Sequence, residues 1–301
     1  MVNLSSEEVE WHRAAGKAVK AALGVAGTLV APGTRLLDLC EACEREILAQ
    51  GAQLAFPTNV SVNNVAAHYT SPPGDQTVLA EGDLVKVDCG AHVEGRVADA
   101  ARTFVVGGTS ELAALAAAAG EALRLAIGAM RPGVKLFQVG EVISRTILER
   151  GFRPISNLGG HQLRPYELHG TFVPNVPDQS CNHEVQPGEV YAIEPFATNG
   201  HGSVTDGDRA HIYRFMKTRK KNTSARDRYL QEKFKKLFGS FPFCSRWVDL
   251  PHDTLENVVP RFVRLGVLHA YKVLVEVGGG LVAQEEDTVL VHADRAEVTT
   301  R

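Results

Sequence analysis

What this chain has little of narrows the field before any motif is read. It carries five cysteines, Cys40, Cys43, Cys89, Cys181 and Cys244. An odd number in a chain of 301 residues does not make a disulfide framework. Cys40-x-x-Cys43 has the spacing of a redox or zinc pair, but it lies in LLDLCEACEREIL, an amphipathic helical pattern. No second cysteine pair completes a zinc site, so packing is the reading. Charge of either sign is not in excess: 32 Lys and Arg stand against 35 Asp and Glu, net −3, which gives no global pull toward nucleic acid or a membrane. No apolar run approaches the roughly 18 residues of a bilayer span. The opening MVNLSSEEVEWHR lacks the charged and apolar regions of a signal peptide, so a cytoplasmic protein is expected. With 44% apolar and 22% charged residues the composition is that of an ordinary globular protein, of two domains or one large α/β domain.

What is present is a repeat spaced by one hundred residues. Residues 32-PGTRLLDLCEACEREILAQG-51 and 132-PGVKLFQVGEVISRTILERG-151 align without a gap, and each reads as a Pro-Gly turn, an amphipathic helix and a closing Gly. A second helix precedes each copy, one near 6–24 with Ser5 and Glu8 as a capping box, the other near 110–130. The likeness continues in 81-EGDLVKVD-88 and 187-PGEVYAIE-194, which puts Asp88 and Glu194 at equivalent places. Internal repetition of this kind implies two similar α+β halves packed face to face. The strand at 190–196 then needs a partner, and 281-LVAQEEDTVLVH-292 is the candidate. Residues of about 205–275 read as a helical insert subdomain, with helices at 224–239 and 252–265.

The stretch 86-KVDCGAHVEGRVADAARTF-104 reads as a hairpin with two aspartates among Val, Cys and Ala. Asp88 and Asp99 are an odd number of residues apart, which puts them on one face, directly opposite or diagonal according to register. Carboxylates on a buried face need an Arg or Lys partner, a shared proton or metal ions. Glu194 and Glu286, on strands equivalent to those of Asp88 and Asp99, and His161 in 159-GGHQLRPYELHG-170, supply matching groups. Two Asp, two Glu and one neutral His suit two divalent cations about 3.5–4 Å apart. Oxygen-rich ligation favours manganese, iron or cobalt, with zinc compatible.

The segments 88-DCGAHVEGRVAD-99, 160-GHQLRPYELHG-170, 191-YAIEPFATNG-200 and 283-AQEEDT-288 together resemble the metal-binding motifs of the methionine aminopeptidases, over nearly the whole chain. The stretch 56-FPTNVSVNNVAAHYT-70 and the insert resemble the type II branch, in its archaeal-like form without an N-terminal extension. The resemblance implies the pseudo-two-fold pita-bread fold and hydrolytic removal of the initiator methionine ahead of a small second residue. It implies that Asp88 binds one metal ion, that Asp99 and Glu286 bridge two, and that His161 and Glu194 complete the second site. A metal-activated water would be the nucleophile, Glu194 the general base, and His68 and His169 would hydrogen-bond the scissile amide and stabilise the tetrahedral intermediate. Phe56, Leu168 and His211, with His68 and His169, would form the substrate pocket. One motif departs from the family. Where Phe-Glu-His-Thr is usual, this chain has Glu285-Glu286-Asp287-Thr288, and strand alternation should turn Glu285 and Asp287 away from the metals.

Two alternatives come with the resemblance. Prolidases and Xaa-Pro aminopeptidases share the catalytic body but usually carry a large N-terminal domain, for which a first ligand at position 88 leaves no room. Non-catalytic relatives that bind the ribosome or RNA have lost ligands that are intact here. The segment 214–236 holds ten Lys or Arg against Asp227 and Glu232. A solvated face is the default reading of such a run, and contact with the ribosome is compatible with acting on nascent chains. A monomer is the family expectation.

Overall fold

The computed structural model describes residues 4–301, the side chain of His252 excepted. The first half runs α1 (Ser6–Leu29), α2 (Leu36–Ala49), β1 (Gln53–Val62), β2 (Val65–Ala67), β3 (Leu84–Val93) and β4 (Arg96–Val105). The second begins with α3 (Ser110–Ala129), α4 (Leu136–Glu149), β5 (Arg153–Pro154), β6 (Gly159–Leu163), β7 (Phe172–Pro174), β8 (Val190–Ile193) and β9 (Phe196–Thr198). Then come β10 (Val204–Phe215), α5 (Ala225–Phe238), β11 (Pro242–Cys244), α6 (His252–Arg264) and β12 (Leu268–Glu276). The chain closes with β13 (Val282–Gln284), β14 (Asp287–Val291) and β15 (Ala296–Val298).

The sequence repeat is a structural one. Gly33 and Gly133 take φ of 86° and 88°, and their N–H groups donate to Leu79 O at 2.7 Å and Val185 O at 3.0 Å. Gly51 and Gly151, at φ of 80° and 81°, follow the ends of α2 and α4. The helix pair of each half covers its sheet and builds a core there, around Val19, Leu39, Ile47 and Val87 in one half and Leu115, Ile143, Ile147 and Tyr191 in the other. Cys40 and Cys43 are buried in the first of these cores, as packing residues. α1 starts at the expected capping box, with Ser5 N donating to Glu8 at 2.8 Å. It runs five residues past position 24, because Ala26 continues the buried face. α3 is the one described helix whose 20 residues and mean hydropathy of 1.5 suffice by length and composition to cross a membrane, against the expectation that no run comes near. Its Leu112, Leu115, Ala119, Ala122 and Leu123 are buried in the second core.

Pairing registers fix the equivalence residue by residue. In the first half Leu84 pairs with Val105 and Asp88 with Ala101; in the second Val190 pairs with Leu290 and Ile193 with Asp287. Asp88 therefore does correspond to Glu194. Asp99, however, corresponds to Gln284, and Glu286 to Ala101. The two strands are equivalent as expected, with Glu286 two residues along from the counterpart of Asp99, and a two-residue offset keeps a side chain on the same face, so the glutamate points inward. The halves meet along this line: Glu286 N donates to Ala101 O at 3.0 Å, Ala101 N to Glu286 O at 3.3 Å, and Thr288 Oγ1 accepts from Asp99 N at 2.7 Å.

The second-half strands are also shorter than read. The strand expected over 190–196 breaks at Glu194–Pro195, and that over 281–292 breaks at Glu285–Glu286. Pro195 has no N–H to continue a ladder. β8 and β14 stay in the sheet β15-β14-β8-β6-β7, while β9 and β13 pass into the sheet β13-β9-β5. Residues 205–275 hold more than helices. β10 and β12 form the middle of a sheet ordered β11-β10-β12-β2, and α5 and α6 pack on it around Leu230, Phe234, Phe243 and Phe262. α5 begins at a Ser224–Asp227 capping box and ends at Gly239, φ 56°.

Candidate active site

The seam between the halves gathers the acidic residues. Asp99 pairs with Gly90 and Asp88 with Ala101, so the two aspartates are diagonal neighbours on one face of the β3–β4 hairpin. From the second half, His161 on β6 places Nε2 3.7 Å from Asp99 Oδ2 and 3.6 Å from Glu194 Oε1. Ligand atoms of Asp99, His161 and Glu286 all lie within 4.8 Å of one another. The Gln284 amide donates to Glu194 at 3.2 Å and Glu286 at 3.3 Å, with a long 3.5 Å approach to Asp88.

Burial dominates the electrostatics. It raises the pKa of Asp88 to about 7. Burial first, then mutual repulsion, raises Asp99, Glu194 and Glu286 well above the ordinary range. It lowers His161 to about 4, which keeps the imidazole neutral. Asp88 Oδ1, Asp99 Oδ1, Glu286 Oε1 and His161 Nδ1 are sealed from solvent without a hydrogen-bond partner. Four acids and one neutral nitrogen, with acceptor atoms left over, are a donor set that fits hard divalent cations.

These groups line a cavity of about 480 Å³. His68, His169, Phe56 and Leu168 line it too. His68 Nδ1 lies 3.1 Å from Lys272 O, to which it can only donate, and burial lowers its pKa, so Nε2 is left as an acceptor. His169 stands edge-on to His161 with ring centroids 4.6 Å apart, and burial lowers its pKa as well. Phe56 lies over Gly90, where a Cβ would come within 2.0 Å of its ring.

His211 is not part of this cavity. On β10 it is Ile212 and Arg214 that line it, and alternation turns His211 the other way, edge-on to Tyr69 at 5.6 Å. Sequence reasoning also passed over Gln284, Arg214, His269 and Tyr271, all in the cavity wall. Gln284 alone had a signal, since it precedes the acidic run by one residue and alternates in phase with Glu286.

A sequence model of metallopeptidase family M24 matches residues 10–293. The chain belongs to that family. Among its M24 relatives, a methionine aminopeptidase of Thermococcus onnurineus is 42% identical over 276 residues, 91% of this chain and 92% of the relative. One of Methanothermobacter thermautotrophicus is 40% identical over 97% of this chain and 98% of its own. Of solved structures, that of a thermophilic Arx1 superposes with a TM-score of 0.87 at 18% identity, covering 99% of this chain and 91% of the other, and so shares the fold. The methionine aminopeptidase of Thermotoga maritima gives 0.73 at 25% identity, with both chains fully covered. The pita-bread fold that the resemblance implies, and with which the repeat agrees, is therefore the fold of this M24 chain.

The acidic departure is handled by separate contacts. Asp287, with no exposed surface, is paired by Arg102 at 2.7 Å and Arg301 at 2.6 Å, and accepts from Thr300 at 2.8 Å. Glu285 accepts from Thr103 N at 2.8 Å, and burial raises its pKa to about 7. Neither belongs to the cluster, as alternation around Glu286 requires.

Proposed function

We infer that this chain is a methionine aminopeptidase of the archaeal-like type, which hydrolyses the initiator methionine from the N-terminus of proteins. One observation carries the reading: curated methionine aminopeptidases match it at about 40% identity across nearly its whole length. The acidic cluster beside two neutral histidines is in keeping with it. We propose that Asp88, Asp99, His161, Glu194 and Glu286 hold two divalent cations, cobalt, manganese, iron(II) or zinc. Bound there, such ions supply Lewis acidity toward a carbonyl and acidify water. Glu194 takes the proton of the attacking water and returns it to the departing amine. His68, with Nδ1–H committed to Lys272 O, accepts from the scissile amide through Nε2. His169 stabilises developing charge on the carbonyl oxygen. Phe56 and Leu168 wall the methionine side chain, and likeness to the family favours a small second residue.

Metal-stripped protein given Met-Ala-Ser or an Xaa-Pro peptide, with each metal added back, tests this. Cleavage of only the methionine peptide, lost in Asp99→Ala and His161→Ala, supports the reading. Folded protein that cleaves neither with any metal overturns it.

We further propose cytoplasmic action by a monomer, one catalytic unit within which residues 205–275 form an inserted subdomain. The exposed Lys217, Lys220, Lys221, Arg228, Lys235 and Lys236 give that segment a basic face suited to ribosomal RNA. Reversal of Lys220, Lys221, Lys235 and Lys236 should abolish co-sedimentation with ribosomes at low salt; undiminished binding sinks this contact.

A further inference from the structure

The cavity has a cationic wall that hydrolysis itself does not require. Arg214 belongs by sequence to the basic run 214–236, yet β10 turns it inward. Across the ladder it pairs with His269, and Ile212 pairs with Tyr271; all four residues line the cavity. Among the described residues the Arg214 guanidinium has neither a hydrogen bond nor an ion pair, and its Nε is buried without a partner. The carboxylates of the cavity are gathered instead around His161 and Gln284. After burial, the charge of Arg214 is among the influences that disfavour protonation of His169, His269 and Tyr271, which places it on their side of the cavity.

A half-buried, unpaired guanidinium is costly, and its planar fork matches a carboxylate. Within the aminopeptidase reading, the methionine side chain is uncharged and the second residue small, so an anion can come only from further along the peptide. We propose that Arg214, flanked by His269 and Tyr271, binds a carboxylate of the substrate beyond its second residue. This inference rests on the aminopeptidase reading. The carboxylate is either an acidic side chain at the third or fourth position or the free C-terminus of a short peptide.

The test compares KM and kcat within matched pairs. Met-Ala-Asp-Gly-NH2 is set against Met-Ala-Asn-Gly-NH2, Met-Ala-Gly-Asp-NH2 against Met-Ala-Gly-Asn-NH2, and Met-Ala-Gly with a free against an amidated C-terminus. A charge-assisted contact predicts about tenfold lower KM for the anionic member of at least one pair, with kcat little changed. The preference should vanish in Arg214→Met and survive in part in Arg214→Lys. The side-chain and C-terminal pairs distinguish the two sources. Wild-type ratios within about twofold in all three pairs, or a preference that persists in Arg214→Met, overturn the proposal. If no methionine peptide is cleaved at all, the aminopeptidase reading fails first and this inference falls with it.

Discussion

Asp88 Oδ1, Asp99 Oδ1 and Glu286 Oε1 are buried oxygens that no protein group satisfies. A metal-free protein keeps them only by holding protons. The carboxyl of Asp88 titrates near 3.9 when unfolded and is raised to about 7 when folded. Between those values the native state binds the extra proton, so stability falls as pH rises. Urea midpoints in EDTA should therefore decline from pH 5 to pH 7, and saturating manganese should flatten that slope. A metal-free midpoint that rises over this range would sink the account. At Gly90 the argument is steric. A methyl there meets the Phe56 ring at 2.0 Å, so Gly90→Ala should raise KM for methionine peptides several-fold more than it lowers kcat; an unchanged KM refutes it. The acids were legible singly, because a carboxylate in an apolar strand is conspicuous. Gln284, an uncharged amide, is marked only by its place one residue before the acidic run, in phase with Glu286.

At the scale of elements, β4 holds the glutamate. Thr103 Oγ1 donates to Gln284 O at 2.6 Å, and Arg102 donates to Glu286 O at 2.5 Å and Asp287 Oδ1 at 2.7 Å. Thr103 thus holds the main chain before the strand break that turns Glu286 inward, and Arg102 holds the Glu286 carbonyl and the Asp287 carboxylate after it. With Glu286 a ligand as proposed, Arg102→Met should weaken metal binding about 10–100-fold, as loss of an outer partner of a ligand does. Chelator competition reads this without catalysis, and an unchanged affinity would show that β13 and β14 hold Glu286 unaided. The helices here followed from their caps and periodicity, Ser224 to Gly239 included. The break at Glu285–Glu286 did not, since residues 281–292 hold no Pro or Gly to mark it and only pairing with two different sheets interrupts the strand.

Across the whole molecule, Arg246 ties residues 205–275 to the first half. It grips both oxygens of Glu44 on α2 at 2.7 and 2.8 Å and Ser71 O at 2.7 Å, while Trp247 donates to Glu44 at 2.9 Å. Arg246→Ala strands a buried carboxylate and should cost about 3–5 kcal/mol. A loss below about 1 kcal/mol in urea unfolding would mean that Glu44 finds other donors. Local pattern sufficed for the repeat, the helix pairs and the inward face of the acidic strands, because turn glycines and side-chain period are properties of neighbouring residues. It could not decide that Asp99 answers to Gln284, that Ile212 rather than His211 enters the cavity, or that Arg214 leaves the basic run to line it. Each depends on strand register, where one residue reverses a face, and that register is set by pairing between segments tens to hundreds of residues apart.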